Sequence, residues 1–212
     1  MKKFFAGLAL GTMALTLAVG GAWARDNLSL TFDLAALDRR ETNDVRLAWT
    51  GSEFRMEALR GDLLWFQYFS LPKNAAFRNS FSLEAEVSSV QDRGVAGIAL
   101  GNRKIDLVFY VYLHDRHGYA RIATADSSQA HYISEKTFSY PSTPFTLGIV
   151  YDVDGGVFTG YVNGQSVLSI SSTSYPRLTQ ISSVNSVALV GGSRDDQPSG
   201  VVGFRSFSLE AE

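Results

Sequence analysis

Apolar and polar residues alternate with period two along most of the chain, turn residues separate the runs, and helical periodicity is nearly absent. The alternation predicts strands at 28–34, 81–90, 95–100, 106–113, 119–125, 145–151, 157–162, 165–170, 186–190 and 201–211. Only 34–40 and 61–68 are compatible with a helical turn. Closely spaced strands of this kind in one domain-sized chain predict an all-β, two-sheet antiparallel sandwich. The turn signals are clearest between 145 and 170. Asn163-Gly164 separates two runs and supplies the two positive φ values of a type I′ hairpin, and Asp154-Gly155-Gly156 marks the turn before it.

The hexapeptide Phe-Ser-Leu-Glu-Ala-Glu occurs at 81–86 and again at 207–212. In each copy Phe, Leu and Ala point one way, and Ser and the two Glu the other. Six residues do not establish a duplication, and two strands in equivalent half-buried settings account for the pattern. The glutamates read as a solvated face rather than a calcium site, which would also draw ligands from loops and backbone carbonyls.

Met1-Lys2-Lys3, an apolar run over 4–19 and Ala22-Trp23-Ala24 follow the order of a secretory signal peptide, with cleavage expected after Ala24. Residues 25–212 then form one domain, exported to a periplasm or beyond the cell, with no membrane span after cleavage. The chain has no cysteine, so an exported fold here rests on its hydrophobic core. The 19 Lys and Arg against 21 Asp and Glu become 17 against 21 once Lys2 and Lys3 leave. A mildly acidic chain without a basic run argues against nucleic acid and anionic membrane as partners.

Four pieces carry a resemblance: Phe77-Arg78-Asn79-Ser80-Phe81-Ser82-Leu83-Glu84, Gly97-Ile98-Ala99-Leu100-Gly101, Tyr161-Val162-Asn163-Gly164 and Val202-Gly203-Phe204-Arg205-Ser206-Phe207. In order and spacing the chain resembles the concanavalin A-like lectin and glucanase jelly rolls, especially the laminin-G-like and 3-keto-disaccharide hydrolase-like domains of secreted bacterial proteins. The resemblance implies two curved antiparallel sheets, with glycans bound or cleaved on the concave face or at its rim. Fold is more strongly implied than activity, because the group is functionally broad.

The segment 106–125 allows a register to be worked out. Leu107, Phe109, Val111 and Leu113 form a core face. A four-residue turn Asp115-Arg116-His117-Gly118, with positive φ at Gly118, pairs Leu113 with Ala120, Val111 with Ile122 and Phe109 with Thr124, whereas a five-residue turn drives Arg121 into the core. The opposite face then carries Tyr110, Tyr112, His114, Tyr119 and Arg121, with Tyr112 beside Arg121 and His114 beside Tyr119. Flat rings with an arginine and a histidine suit a polysaccharide or cell-surface glycan. The competing assignment covers this face with 50–79, whose Trp65, Phe66 and Tyr68 also need packing partners.

Catalytic residues are not assigned. Retaining glucanases of this fold use Glu-x-Asp-x-x-Glu on one strand, and Leu83-Glu84-Ala85-Glu86-Val87 lacks the intervening acid and the third position. His114, Asp115 and His117 are too few for zinc, and Asp152 and Asp154 precede Gly155-Gly156 as turn residues do. No metal or cofactor is assigned. Ser193–Gly200 is a polar loop long enough to reach a ligand. These features define an exported, non-catalytic glycan- or surface-binding sandwich; the alternatives are a glycoside-active hydrolase of the same fold and a protein-binding adhesive module.

Overall fold

The computed structural model describes residues 28–72, 80–101, 106–125, 130–152, 154–176, 178, 184–194 and 199–211. The expected signal peptide and Phe77-Arg78-Asn79 lie outside the described residues. Fifteen strands in chain order form the molecule: β1 Leu28–Thr31, β2 Arg40–Glu41, β3 Val45–Trp49, β4 Phe54–Ala58, β5 Leu63–Ser70, β6 Ser80–Asp92, β7 Gly94–Gly101, β8 Asp106–His114, β9 His117–Ala125, β10 Ala130–Phe138, β11 Phe145–Asp152, β12 Val157–Val162, β13 Gln165–Ser171, β14 Ser186–Ser193 and β15 Gly200–Ala211. They make a nine-stranded sheet ordered β13-β12-β11-β6-β15-β4-β3-β2, with β1 also on β15, and a six-stranded sheet ordered β10-β9-β8-β7-β14-β5. Every pairing is antiparallel.

The inner faces meet in one apolar layer. Phe54, Leu83, Leu147, Phe158, Phe204, Phe207 and Leu209 enter it from the larger sheet, and Leu63, Ile98, Leu100, Phe109 and Leu189 from the smaller. The sheets interlock where Phe109 occupies the place a Cβ on Gly160 would take, 2.4 Å from its ring.

The repeated hexapeptide has a structural cause. Its two copies are antiparallel neighbours, with Leu83 opposite Leu209, Phe81 opposite Ala211 and Ala85 opposite Phe207. An inward Phe-Leu-Ala series run against itself sets each large ring beside a small methyl, which fills the layer without overpacking. On the outer face Ser82 lies opposite Glu210 and Glu84 opposite Ser208, so no two glutamates face each other.

Three expectations are corrected. Residues 63–70 are strand β5, not helical; Leu63, Leu64, Trp65, Phe66, Gln67 and Phe69 are all buried, and a strand buried on both faces has no alternation to read. Residues 34–40 form turns and bends rather than a helix. The β8–β9 turn has two residues, Asp115 and Arg116, at φ 47° and 68°. Leu113 therefore pairs with Gly118, Val111 with Ala120, Phe109 with Ile122, Tyr112 with Tyr119, Tyr110 with Arg121 and His114 with His117. The physical reason lies on the far side of β9. Gly118 pairs with Phe138, and a Cβ there would meet the Phe138 carbonyl at 2.7 Å and Tyr140 at 2.9 Å, so this glycine is required for close strand approach rather than for the turn.

The Asn163-Gly164 turn is as expected, with φ 50° and 72° and Val162 opposite Gln165. The Asn163 side chain also accepts a hydrogen bond from the Thr146 backbone at 2.9 Å. A Cβ at Gly164 meets nothing within 4 Å, so a substitution there costs only backbone strain. Gly164→Val should lower stability by about 1–2 kcal/mol, read as a lower urea midpoint at unchanged slope; an unchanged midpoint would contradict the turn geometry.

Candidate functional site

The two outer faces differ in chemistry. On the nine-stranded sheet several outward residues are polar and paired, although Val150 is also exposed there: Arg46 bridges Glu41 at 2.9 Å and Glu57 at 3.1 Å, Arg205 reaches Glu86 at 3.3 Å, and Glu53 accepts hydrogen bonds from Ser88 and Ser89. On the six-stranded sheet the outward residues are Leu64, Phe66, Val95, Ala99, Val108, Tyr110, Tyr112, Ala123, Ala188 and Val190, with Tyr68 and Tyr119 packed against them. A sheet with one face already in the core has no folding need for a second apolar face.

Strand register organises this face into rows across the sheet. One row runs Glu135, Arg121, Tyr110, Gly97, Val190, Phe66, and the next Thr137, Tyr119, Tyr112, Val95, Gly192, Leu64. A third runs Tyr132, Ala123, Val108, Ala99, Ala188, Tyr68. The central strands β7 and β14 thus bring small side chains, flanked by tyrosines and arginine on one side and by Leu64, Phe66 and Tyr68 on the other. The described aromatic residues Trp65, Phe66 and Tyr68 do not lid the tyrosines. Trp65 joins the inter-sheet core, while Phe66 and Tyr68 share the tyrosine face from the far edge strand.

The Tyr68 hydroxyl donates to the Asp106 carboxylate. These residues sit three strand spacings apart, ~14 Å across a flat sheet. A tyrosine and an aspartate bridge that span only if the sheet curls toward them, so this face is the concave one.

All five sequence-predicted residues, Tyr110, Tyr112, His114, Tyr119 and Arg121, lie on this face. Tyr112 stacks on Tyr119 with centroids 5.3 Å apart and planes at 8°, and the His114 ring lies 6.2 Å from that of Tyr119. The Arg121 guanidinium sits 4.9 Å from the Tyr112 ring centroid and 4.5 Å from that of Tyr132. Tyr112 is only 1% exposed, so it is part of the floor rather than a free platform.

Sequence reasoning missed three participants. Glu135 on β10 takes hydrogen bonds from Arg121 Nε and from the Tyr112 hydroxyl, the latter at 3.0 Å. Tyr132, 49% exposed, is the open ring of the group. Arg194, within the polar stretch beginning at Ser193, places its guanidinium 4.5 Å from the Tyr112 centroid and 5.9 Å from that of Tyr119. Together Asp62, Leu64, Val95, Tyr110, Arg121 and Arg194, with neighbouring residues including Tyr112 and Tyr132, line a solvent-open cleft.

Burial pushes the Tyr110 and Tyr112 hydroxyls well above the ordinary tyrosine range, so both remain neutral donors at any physiological pH. For Arg121, burial opposes the charge, but the bond to Glu135 and the nearby tyrosine oxygens outweigh it and raise the pKa. For Glu135, desolvation likewise opposes the charge; the hydrogen bonds from Arg121 and Tyr112 and the two arginine charges nevertheless hold its carboxyl below the usual range.

Glu135 and Asp106 are both already engaged on this face, Glu135 by Arg121 and Tyr112 and Asp106 by Tyr68. The arrangement is suited to binding: a curved floor, an open ring, and fixed donors at the rim.

No protein-family model and no curated protein matches the sequence. Among solved structures, the CBM2 module of the Lactobacillus casei BL23 phage J-1 evolved Dit aligns over 82% of this chain and 79% of its own, at 11% identity and a TM-score of 0.53. The legume lectin-like domain from Entamoeba histolytica covers 87% and 89% at 11% identity and a TM-score of 0.47. The endo-1,3-beta-glucanase of Streptomyces sioyaensis covers 79% and 78% at 10% identity and a TM-score of 0.45. The fold is the concanavalin A-like jelly roll. At these identities the likeness speaks to fold alone.

The lowered pKa of Glu135 gives a signed pH dependence. Its contribution to stability is complete above the unfolded value near 4.5 and is lost as pH falls through the folded value. Glu135→Gln should therefore melt below the wild type at pH 7, and the gap should close as pH falls below about 4.5; a gap independent of pH would show that the carboxylate charge plays no part.

Proposed function

We propose that the mature chain is an exported, non-catalytic glycan-binding module whose ligand seats in the cleft on the concave face of the six-stranded sheet. The observation that carries this reading is the asymmetry of the outer faces: one carries several ion pairs, the other is an aromatic floor crossed by two guanidinium groups and open at Tyr132. Sugar rings present C–H faces that pack on aromatic rings and hydroxyl groups that accept hydrogen bonds from guanidinium and donate them to carboxylate. Tyr132 supplies the open ring, with Tyr119 and His114 on the same face beyond Arg121. Tyr110 and Tyr112 support from below, and Glu135 holds Arg121 in place. Export rests on the order of charged, apolar and small residues over 1–24.

Tyr112 is a poor probe of binding, because truncating a fully buried ring costs about 3–5 kcal/mol of stability. Tyr132 is the better one. Against a panel of soluble polysaccharides, Tyr132→Ala should weaken binding about three- to tenfold, in keeping with one lost ring contact, while stability moves by less than ~0.5 kcal/mol. Unchanged affinity in that variant, or no polysaccharide bound by the wild type, would overturn the assignment.

A further inference from the structure

The cleft's charge and donor count point to a narrower class of ligand. Its charged lining residues are Asp62, Arg121 and Arg194, with the Glu135 carboxylate paired to Arg121 beside them. Both arginines lie against the same ring, Tyr112, at 4.9 Å and 4.5 Å from its centroid, so both positive charges are fixed at one place on the floor. This concentration is local: the chain as a whole is slightly acidic, at −2. Long-range attraction therefore does not recruit polyanions to it, and discrimination falls to the cleft.

Arg121 is the better placed of the two. Its side chain is only 16% exposed, so its charge is largely withdrawn from water. A guanidinium carries five N–H donors. Glu135 occupies the Nε donor and Tyr110 takes a further hydrogen bond, and both partners lie within the sheet face rather than across the cleft. The terminal nitrogens form the edge that matches a planar or trigonal oxyanion with two parallel hydrogen bonds. Tyr112 and Tyr132 hold the guanidinium plane, and Glu135 its Nε edge, which reduces the ordering cost that a flexible arginine incurs on binding.

We propose that the ligand is an acidic glycan, one whose sugars carry carboxylate or sulfate groups, and that Arg121 takes the oxyanion through its terminal nitrogens, with Arg194 adding charge and Tyr132 packing against the adjoining ring. This rests on the cleft being the glycan site. Glu135 is a positioning residue here: it acts on the ligand only through Arg121.

The test is binding of the full mature chain to three kinds of polysaccharide of matched length: a polyuronate such as polygalacturonate, a sulfated polymer of neutral sugars such as dextran sulfate, and a neutral polymer such as dextran or a β-1,3-glucan. Each is measured at low and moderate salt by calorimetry. The proposal expects binding to the polyuronate or the sulfated polymer at least tenfold tighter than to any neutral one; preference between the two identifies the oxyanion. Arg121→Lys keeps the charge and a partner for Glu135 but loses the planar fork, and should cut acidic-glycan affinity about tenfold at unchanged melting temperature. Should that variant misfold, Arg194→Gln, which leaves the Arg121–Glu135 hydrogen bond in place, should still lower acidic-glycan affinity severalfold. Neutral glycans binding as tightly as acidic ones, with Tyr132→Ala still weakening them, would overturn the acidic class and leave the glycan site standing. Acidic affinity untouched by both arginine substitutions would overturn the role given to the guanidinium groups. Binding to no polymer at all would overturn the glycan site itself.

Discussion

Everything in this fold hangs on the pairing of β15 with β6. The closing strand lies along the whole of β6 on one edge, and on its other edge it takes β4 against Gly200–Phe204 and β1 against 208–211. Its inward residues Val202, Phe204, Phe207 and Leu209 are fully buried. One strand thus joins the start of the described chain, its middle and its end in a single layer. Without disulfides, that layer is the mechanical base on which the smaller sheet rests. The matched Phe-Leu-Ala series of the two hexapeptides makes the pairing register-specific, since a one-residue slip would put glutamates into the core.

A firm base lets the second sheet be used differently. Because β7, β8 and β14 already bury Ile98, Phe109 and Leu189 between the sheets, their other face is available for aromatic residues that folding does not demand. The small side chains of β7 and β14 keep the middle of that face low, and the Tyr68–Asp106 bond ties the edge strand β5 across them to β8. Tyrosine, arginine and glutamate then lock one another: Arg121 lies on Tyr112 and Tyr132, and Glu135 ties Arg121 to the Tyr112 hydroxyl. Such a network costs little to present to a ligand, because its side chains are ordered before any ligand arrives.

Much of the sandwich was legible because a half-buried strand writes its environment into alternate residues. The failures were partly of another kind, since β3 and β4 alternate and were still not read as strands, and arose partly where that condition fails. Strand β5 is buried on both faces and so reads as an unbroken apolar run, and β10 carries a bulge between Tyr132 and Ser134 that breaks its alternation. The β8–β9 register was misread by two residues because Asp115 and Arg116 take positive φ without a glycine, while the glycine nearby serves packing. The error preserved parity, so the five site residues still share one face. Tyr132, Glu135 and Arg194 were beyond reach for a different reason: which strand lies beside β9, and which loop end reaches Tyr112, are set by long-range pairing that local pattern does not encode.

The claim at the centre of this account is that ligand binds the concave aromatic face and not the ionic face opposite. Backbone chemical-shift mapping with a bound acidic oligosaccharide addresses it directly. The account predicts the largest shifts at Leu64, Tyr119, Arg121, Tyr132 and Arg194. Shifts centred instead on Glu84, Glu86, Ser208 and Glu210, on the outer face of the nine-stranded sheet, would contradict it.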